Sequence, residues 1–293
     1  MLAVATLFSL NYIISKLGMR AFNPLVFAYL RVAGAAIILN SLFARDTPPV
    51  SRDDRRSLLL FSLLGVVLNQ TLFLAGLSMT DAHIAAILIT TIPVFTLGVA
   101  IVAGRERATA LKISGIVLAG AGALLVVGGE GALGSTRSLI GAALITANCI
   151  AYSLYLVVSK PAMARMTARL VTSRMFGYAT LMMIPIAAIP LARESWSTLP
   201  RGAWISLLLV IIGPTVAAYL INAWTLRYAD ASLVAAYVYV QPVLTAVLAA
   251  IFLHEVIRPI AIIAAAMIFT GVAMINRTPR GRQATARADE VPR

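Results

Sequence analysis

The chain has 293 residues, of which 60% are hydrophobic and only 12% charged, with a mean hydropathy of +0.92. These values exclude a soluble globular domain and place the chain among multi-span membrane proteins. The net charge of +13 does not point to nucleic acid, because the basic residues sit in short connections between apolar runs and in the C-terminal tail.

Ten apolar segments can be drawn, at 1–17, 24–43, 57–77, 82–104, 109–128, 138–158, 171–192, 202–222, 231–253 and 259–276. A helix needs roughly 20 apolar residues to cross the hydrocarbon core, so the expected fold is an all-α membrane protein with ten transmembrane helices. The opening MLAVATLFSLNYIISK lacks a basic n-region and a small-residue cleavage site, which makes it the first span rather than a signal peptide. Cys149, the only cysteine, lies in an apolar run, so neither a disulfide framework nor a thiol metal site is expected. The tail at 277–293 is basic and contains proline, and is expected to be disordered and cytoplasmic.

Loop charge sets the orientation. With the N-terminus inside, the inner connections and tail carry fifteen basic residues, among them Arg52, Arg105, Lys160 and Arg227, whereas the outer side carries six: Lys16, Arg20, Arg137, Arg193, Arg201 and Arg258. The imbalance favours both termini in the cytoplasm of a bacterial inner membrane.

The fourth and ninth segments are copies. At an offset of 149, Asp81/Asp230, Ala82/Ala231, Ala86/Ala235, Pro93/Pro242, Val94/Val243, Thr96/Thr245, Ala100/Ala249 and Glu106/Glu255 coincide. Lys16 corresponds likewise to Lys160, Arg31 to Arg174 and Gly122 to Gly271. The chain therefore reads as two five-span halves, 1–128 and 138–276, and because five is odd the second half enters the membrane inverted. Pro93 and Pro242 are expected to kink their helices. Interrupted spans at matching places in two halves point to a transporter binding site.

Polar residues inside spans are candidates for that site. Tyr237, Gln241 and Thr245 share one face of the ninth segment, and Asn148, Tyr152 and Tyr155 one face of the sixth. Asn69 and Gln70 in the third segment, and Thr91 in the fourth, complete the substrate-binding set. Each of these could instead serve packing or hold helices together. Asp81 and Asp230 are expected to cap their helices, while Glu106, Glu255, Arg105 and Arg107 are expected to form ion pairs in their turns or to gate an entrance. The small-residue face Gly115, Ala119 and Ala123 permits close helix contact, within a monomer or in a homodimer through the fifth and tenth segments.

No Asp or Glu falls at the centre of a segment, which is compatible with uncoupled facilitated diffusion. Clustered acids, His/Cys metal spacing and a Gly-rich phosphate loop are all missing, which argues against a membrane-embedded enzyme and leaves no cofactor expected.

These residues carry a family resemblance. A basic residue closing the first segment, Leu30-Arg31 in the second, the Asp-Ala opening and proline of the fourth and ninth, and Arg-Glu or His-Glu closing them resemble the EamA family of the drug/metabolite transporter superfamily over about 1–276. The usual Trp-Gly of the first span is replaced by Phe8-Ser9. The resemblance implies an inner-membrane permease with ten helices in inverted repeat, often an exporter of amino acids or related metabolites. Within the family the tyrosine-rich sixth and ninth segments look most like the YddG-type aromatic amino acid exporters. Substrates are thus expected to be small amphipathic metabolites, with efflux of lipophilic cations or drugs as the alternative.

Overall fold

The computed structural model describes residues 2–43, 50–129, 135–163, 166–218, 221 and 240–277. Among the described residues the chain is helical, with no strand. In chain order the helices are α1 (Leu2–Gly18), α2 (Pro24–Phe43), α3 (Arg52–Leu77), α4 (Ala82–Ile89), α5 (Ile92–Val102), α6 (Ala110–Gly129), α7 (Thr136–Met163), α8 (Ala168–Arg193), α9 (Arg201–Ala217), α10 (Val240–Leu253) and α11 (Pro259–Arg277).

Among the described residues six units are long and apolar enough to cross a membrane: α2, α3, α4 with α5, α6, α7 and α8; α9 and the stretches Gln241–Leu253 and Pro259–Ile275 are shorter and also apolar. Their outer faces expose Ile37, Leu124, Ile189 and Ile262, as befits helices bathed in lipid rather than water. Several helices begin earlier than hydropathy indicates. Ser51 Oγ accepts from Asp54 N at 3.1 Å and Thr167 Oγ1 from Leu170 N at 3.4 Å, so polar caps start α3 and α8 outside the apolar run. The tail beyond Arg277 and the stretch containing Asp230 and Tyr237 lie outside the described residues.

The fourth segment is not a kinked rod but two half-helices. Pro93 has no N–H for the carbonyl of Ile89, and its ring crowds that carbonyl, so the helix stops at Ile89 and restarts at Ile92 with the proline in the first turn. Thr90 and Thr91 bridge the break. Their hydroxyls donate to Ile87 O and Leu88 O, each at 2.6 Å. Pro242 likewise sits near the beginning of the described part of α10.

A second pair of irregularities falls at matching places. Leu63–Leu68 in α3 and Ile211–Ala217 in α9 are wound as π-helix, a form that clusters at functional positions. In α9 the winding has a visible cause: Pro214 sits inside it, and Thr215 Oγ1 donates to Val210 O at 2.8 Å.

α6 and α11 pack antiparallel along glycine. A Cβ on Gly115 would lie 2.6 Å from Gly271 O, and one on Gly271 would lie 2.5 Å from Gly115 O, while Gly122 faces Ala264 and Gly129 faces Ile260. The seven-residue spacing of these glycines is the period of left-handed helix pairs. The contact face is Gly115, Ala119, Gly122 and Val126, all buried, and it is used within the chain. Elsewhere α2 packs on α8, α3 on α7, α1 on α9 and α10, and α4 on α10.

Candidate functional site

The site grows from the break between α4 and α5, which α7 holds from one side. Cys149 Sγ lies 3.6 Å from Leu88 O and Ser153 Oγ donates to Ile92 O at 3.0 Å. One turn of α7 thus stitches both halves of the broken span. Asn148, on the neighbouring position, turns to α3 instead: its Nδ2 donates to Asn69 O at 2.7 Å. Gln70 Nε2 in turn donates to Asn69 Oδ1 at 3.2 Å.

This arrangement leaves acceptors unused. Asn148 Oδ1, Gln70 Oε1 and Thr245 Oγ1 are buried and have no hydrogen-bond partner among the described residues. Because a carbonyl can only accept, the Asn69 O contact fixes Asn148 with its amide nitrogen inward and its oxygen free. A buried polar atom without a partner costs about 1–3 kcal/mol, and such atoms call for a ligand or water to repay that cost.

Of the residues singled out by sequence, the structure joins Asn69 with Asn148 and brings Tyr152 to Tyr155, with ring centroids 5.5 Å apart. Tyr152 and Tyr155 line a cleft of about 30 Å³ with Gly65, Val66, Thr172, Met175 and Phe176, beside the π segment of α3. Thr91 is buried at the break. Gln241 is buried on α10, and its carbonyl lies 3.2 Å from Ser9 Oγ of α1. Ser9 occupies the place of the family's glycine. No shared contact links Thr245 or Gln241 to Asn148. Tyr237 lies outside the described residues.

Arg31 is buried in α2, and its Nε donates to Thr215 Oγ1 at 2.8 Å. It therefore reaches the π segment of α9 rather than the membrane surface.

The acids behave differently from their expected turn pairing. Glu106 is half-exposed and pairs with Lys112 Nζ at 2.8 Å, while Arg105 donates to Val157 O, and Arg107 is exposed. Glu255 does not pair with its neighbours in the turn. Its Oε1 accepts from Lys16 Nζ at 2.7 Å and Ala82 N at 2.8 Å, and its Oε2 accepts from His83 N at 3.2 Å and lies 2.7 Å from His83 Nδ1. Asp81 stands at the N-cap position of α4 without a side-chain cap bond, and is instead 3.4 Å from Lys16. Glu255 from the far end of the chain supplies the cap, because its carboxylate meets the two free amides and the positive end of the helix dipole. No local signal in the sequence announces a partner 172 residues away.

Burial alone would raise the Glu255 pKa, but the hydrogen bond from His83, the charge of Lys16 and the Ala82 amide outweigh it and bring the group from 4.5 down to about 2. A lowered folded-state pKa stabilises above the ordinary value and is lost as pH falls through the folded one. The part of the melting-temperature difference between the wild type and Glu255→Gln that comes from the carboxylate, measured in detergent, is therefore expected to be fully present at about pH 5. It should shrink only below the ordinary value and close near pH 2.

Apolar helices packed as membrane spans, one of them broken beside buried and unpaired polar groups, have the build of a multi-pass membrane transporter. The model of the EamA-like transporter family matches residues 1–128 and again 139–277. The chain belongs to the EamA family. It is 28% identical to an uncharacterized transporter of Archaeoglobus fulgidus, over 84% of this chain and 85% of that protein. It is 26% identical to a protein of Streptantibioticus cattleyicolor named a probable terminal-alkyne amino-acid exporter, over 83% of this chain and 77% of that one. A solved structure at 17% identity shares the fold with a TM-score of 0.61, covering 93% of this chain and 95% of its own.

Proposed function

We propose that this protein exports amino acids, or related small metabolites with an ammonium group and an apolar body, across a bacterial inner membrane. Two inverted five-helix halves, with both termini cytoplasmic, would alternate access to one central site. The observation that carries this reading is the set of unpaired acceptors, Asn148 Oδ1 and Gln70 Oε1, on two amides that both bond to Asn69 next to the break in the fourth span. An ammonium group is a triple donor without acceptors, so two amide oxygens suit it where no carboxylate stands. Tyr152, Tyr155 and Phe61 form an aromatic wall one turn away, with Phe61 and Tyr155 6.1 Å apart, which fits an aromatic or aliphatic side chain. The name of the Streptantibioticus relative supports the same substrate class.

Every described Asp and Glu lies at or beyond the end of a span, which favours facilitated diffusion over proton antiport. The test is uptake of radiolabelled amino acids into proteoliposomes, with and without an imposed pH gradient. Saturable uptake indifferent to the gradient is expected. Uptake only with the gradient would overturn the uncoupled mechanism, and protection against lipophilic cations without uptake of any amino acid would overturn the substrate class.

A further inference from the structure

Glu106 and Glu255 end in similar turns, with the left-handed residue two positions before Glu106 and one before Glu255. Glu106 N donates to Ala100 O and Glu255 N to Ala249 O, each at 3.2 Å and each six residues back. Gly104 and His254, just before the two glutamates, take left-handed φ values of 67° and 56°. Glycine does this without strain, whereas histidine in that conformation costs on the order of 1 kcal/mol and persists only when its surroundings hold it. The turn aims each carboxylate off the end of its helix.

The two carboxylates then do opposite things. Glu255, with its side chain 6% exposed, is docked on the first amides of α4 and clamped by Lys16 from the end of α1. Glu106, 48% exposed, holds only Lys112 of the following helix. Lys160, the counterpart of Lys16, is exposed and makes no ion pair with Glu106 among the described residues. Yet Arg105 already touches Val157 O, one turn before Lys160 on α7, so the turn bearing Glu106 lies within reach of that lysine. One end of the molecule is tied across α1, α4 and α10, whereas at the other end Glu106 and Lys160 make no ion pair with each other.

We propose that Glu255 and Glu106 are alternating latches of the transport cycle. Glu255 with Lys16 closes the mouth where α1 and α10 end and α4 begins, and Glu106 with Lys160 closes the opposite mouth in the other state. The inference rests on the alternating-access reading above, and it adds which residues hold each state. A bound state can be shifted only by interactions that differ between the states. The dock of Glu255 is such a difference: two amide bonds, one lysine and one histidine, all lost when α10 leaves α4.

The experiment reads access rather than transport. In the full chain carrying Cys149→Ser, a Thr91→Cys reporter at the broken span is labelled with a membrane-impermeant maleimide in right-side-out and inverted vesicles. Glu255→Gln is expected to raise labelling from the latched mouth about five-fold and lower it from the other, a shift of the two-state population. Lys16→Gln should act in the same direction. Glu106→Gln, at an exposed position that folding does not need, should act in the reverse direction. Unchanged labelling from both sides in Glu106→Gln, or in a Glu255→Gln protein that still elutes as a single folded species, overturns the proposal. Should Glu255→Gln not fold, Glu106→Gln and Lys16→Gln decide it alone. Amino-acid uptake by the same latch variants, made without the Thr91→Cys and Cys149→Ser changes, separates the two readings: shifted labelling without uptake removes the substrate class and keeps the latches, and uptake without shifted labelling removes the latches.

Discussion

Gly115→Leu is expected to destabilise the protein by about 3 kcal/mol or more, the upper range for forcing a large side chain into a packed contact. Even a methyl group at this position would fall 2.6 Å from the backbone oxygen of Gly271. A backbone cannot swing aside as a side chain can, so α6 and α11 must separate along their length. Separation would strip the paired contacts at Gly122 and Gly129 as well, because the seam is continuous. Gly120→Leu is the matched control. Gly120 is exposed, and nothing lies within 4 Å of an added Cβ, so leucine there should be neutral or slightly stabilising, since glycine is the poorer helix former by up to about 1 kcal/mol. Thermal unfolding in detergent should show Gly115→Leu melting several degrees lower and Gly120→Leu unchanged. Equal melting temperatures would mean that the glycine seam does not carry the α6–α11 contact.

How much of this was legible beforehand differs from element to element. Hydropathy located six spans and the shorter apolar helices among the described residues, because a membrane span must be apolar for its whole length. The small-residue face on α6 was visible as Gly115 and Ala119, but the sequence could not say that Gly122, rather than Ala123, completes it. That choice depends on the rotation of α6 against α11. The doubled proline located the irregular span, yet a proline is compatible with both a kink and a break. At the break the two threonines turn both their amides and their hydroxyls onto Ile87 O and Leu88 O, in place of the bonds a continuous helix would make. The π segment of α3 could not be read, because nothing in LLGVVL differs from ordinary helix, and in α9 Pro214 marks an irregularity without saying that it is π. The largest omission concerned Glu255. Its neighbour His254 suggested a local pair, whereas its partners Lys16 and Ala82 come together only when α1, α4 and α10 pack. Chemistry that depends on chain crossing is silent in a linear reading. The same holds for Ser153 and Cys149, unremarkable in an apolar run and yet the groups that hold the break from outside.

Asn148→Leu is expected to cut transport by roughly 10- to 100-fold while moving the melting temperature little. The two effects part because the side chain has two ends. Its nitrogen makes one interhelical bond, to Asn69 O, and such bonds contribute only about 0.6 kcal/mol on average within membranes. Leucine of similar size recovers part of that through packing. Its oxygen has no partner among the described residues, so losing it costs folding little and relieves a buried unpaired acceptor. If that oxygen receives the substrate ammonium, its loss removes a hydrogen bond to a charged group, about 1.5–3 kcal/mol, which at 1.4 kcal/mol per tenfold gives the stated range. The loss should appear in the KM for amino acids. Asn40→Leu supplies the contrast. Asn40 Nδ2 donates to Ala36 O at 2.8 Å and to Ser173 O at 3.3 Å, holding α2 to α8 away from the broken span. Its replacement should lower the melting temperature by an amount comparable to Asn148→Leu and leave KM alone. If Asn148→Leu and Asn40→Leu change transport alike, Asn148 is glue between α3 and α7, and the ammonium must be sought at Thr245.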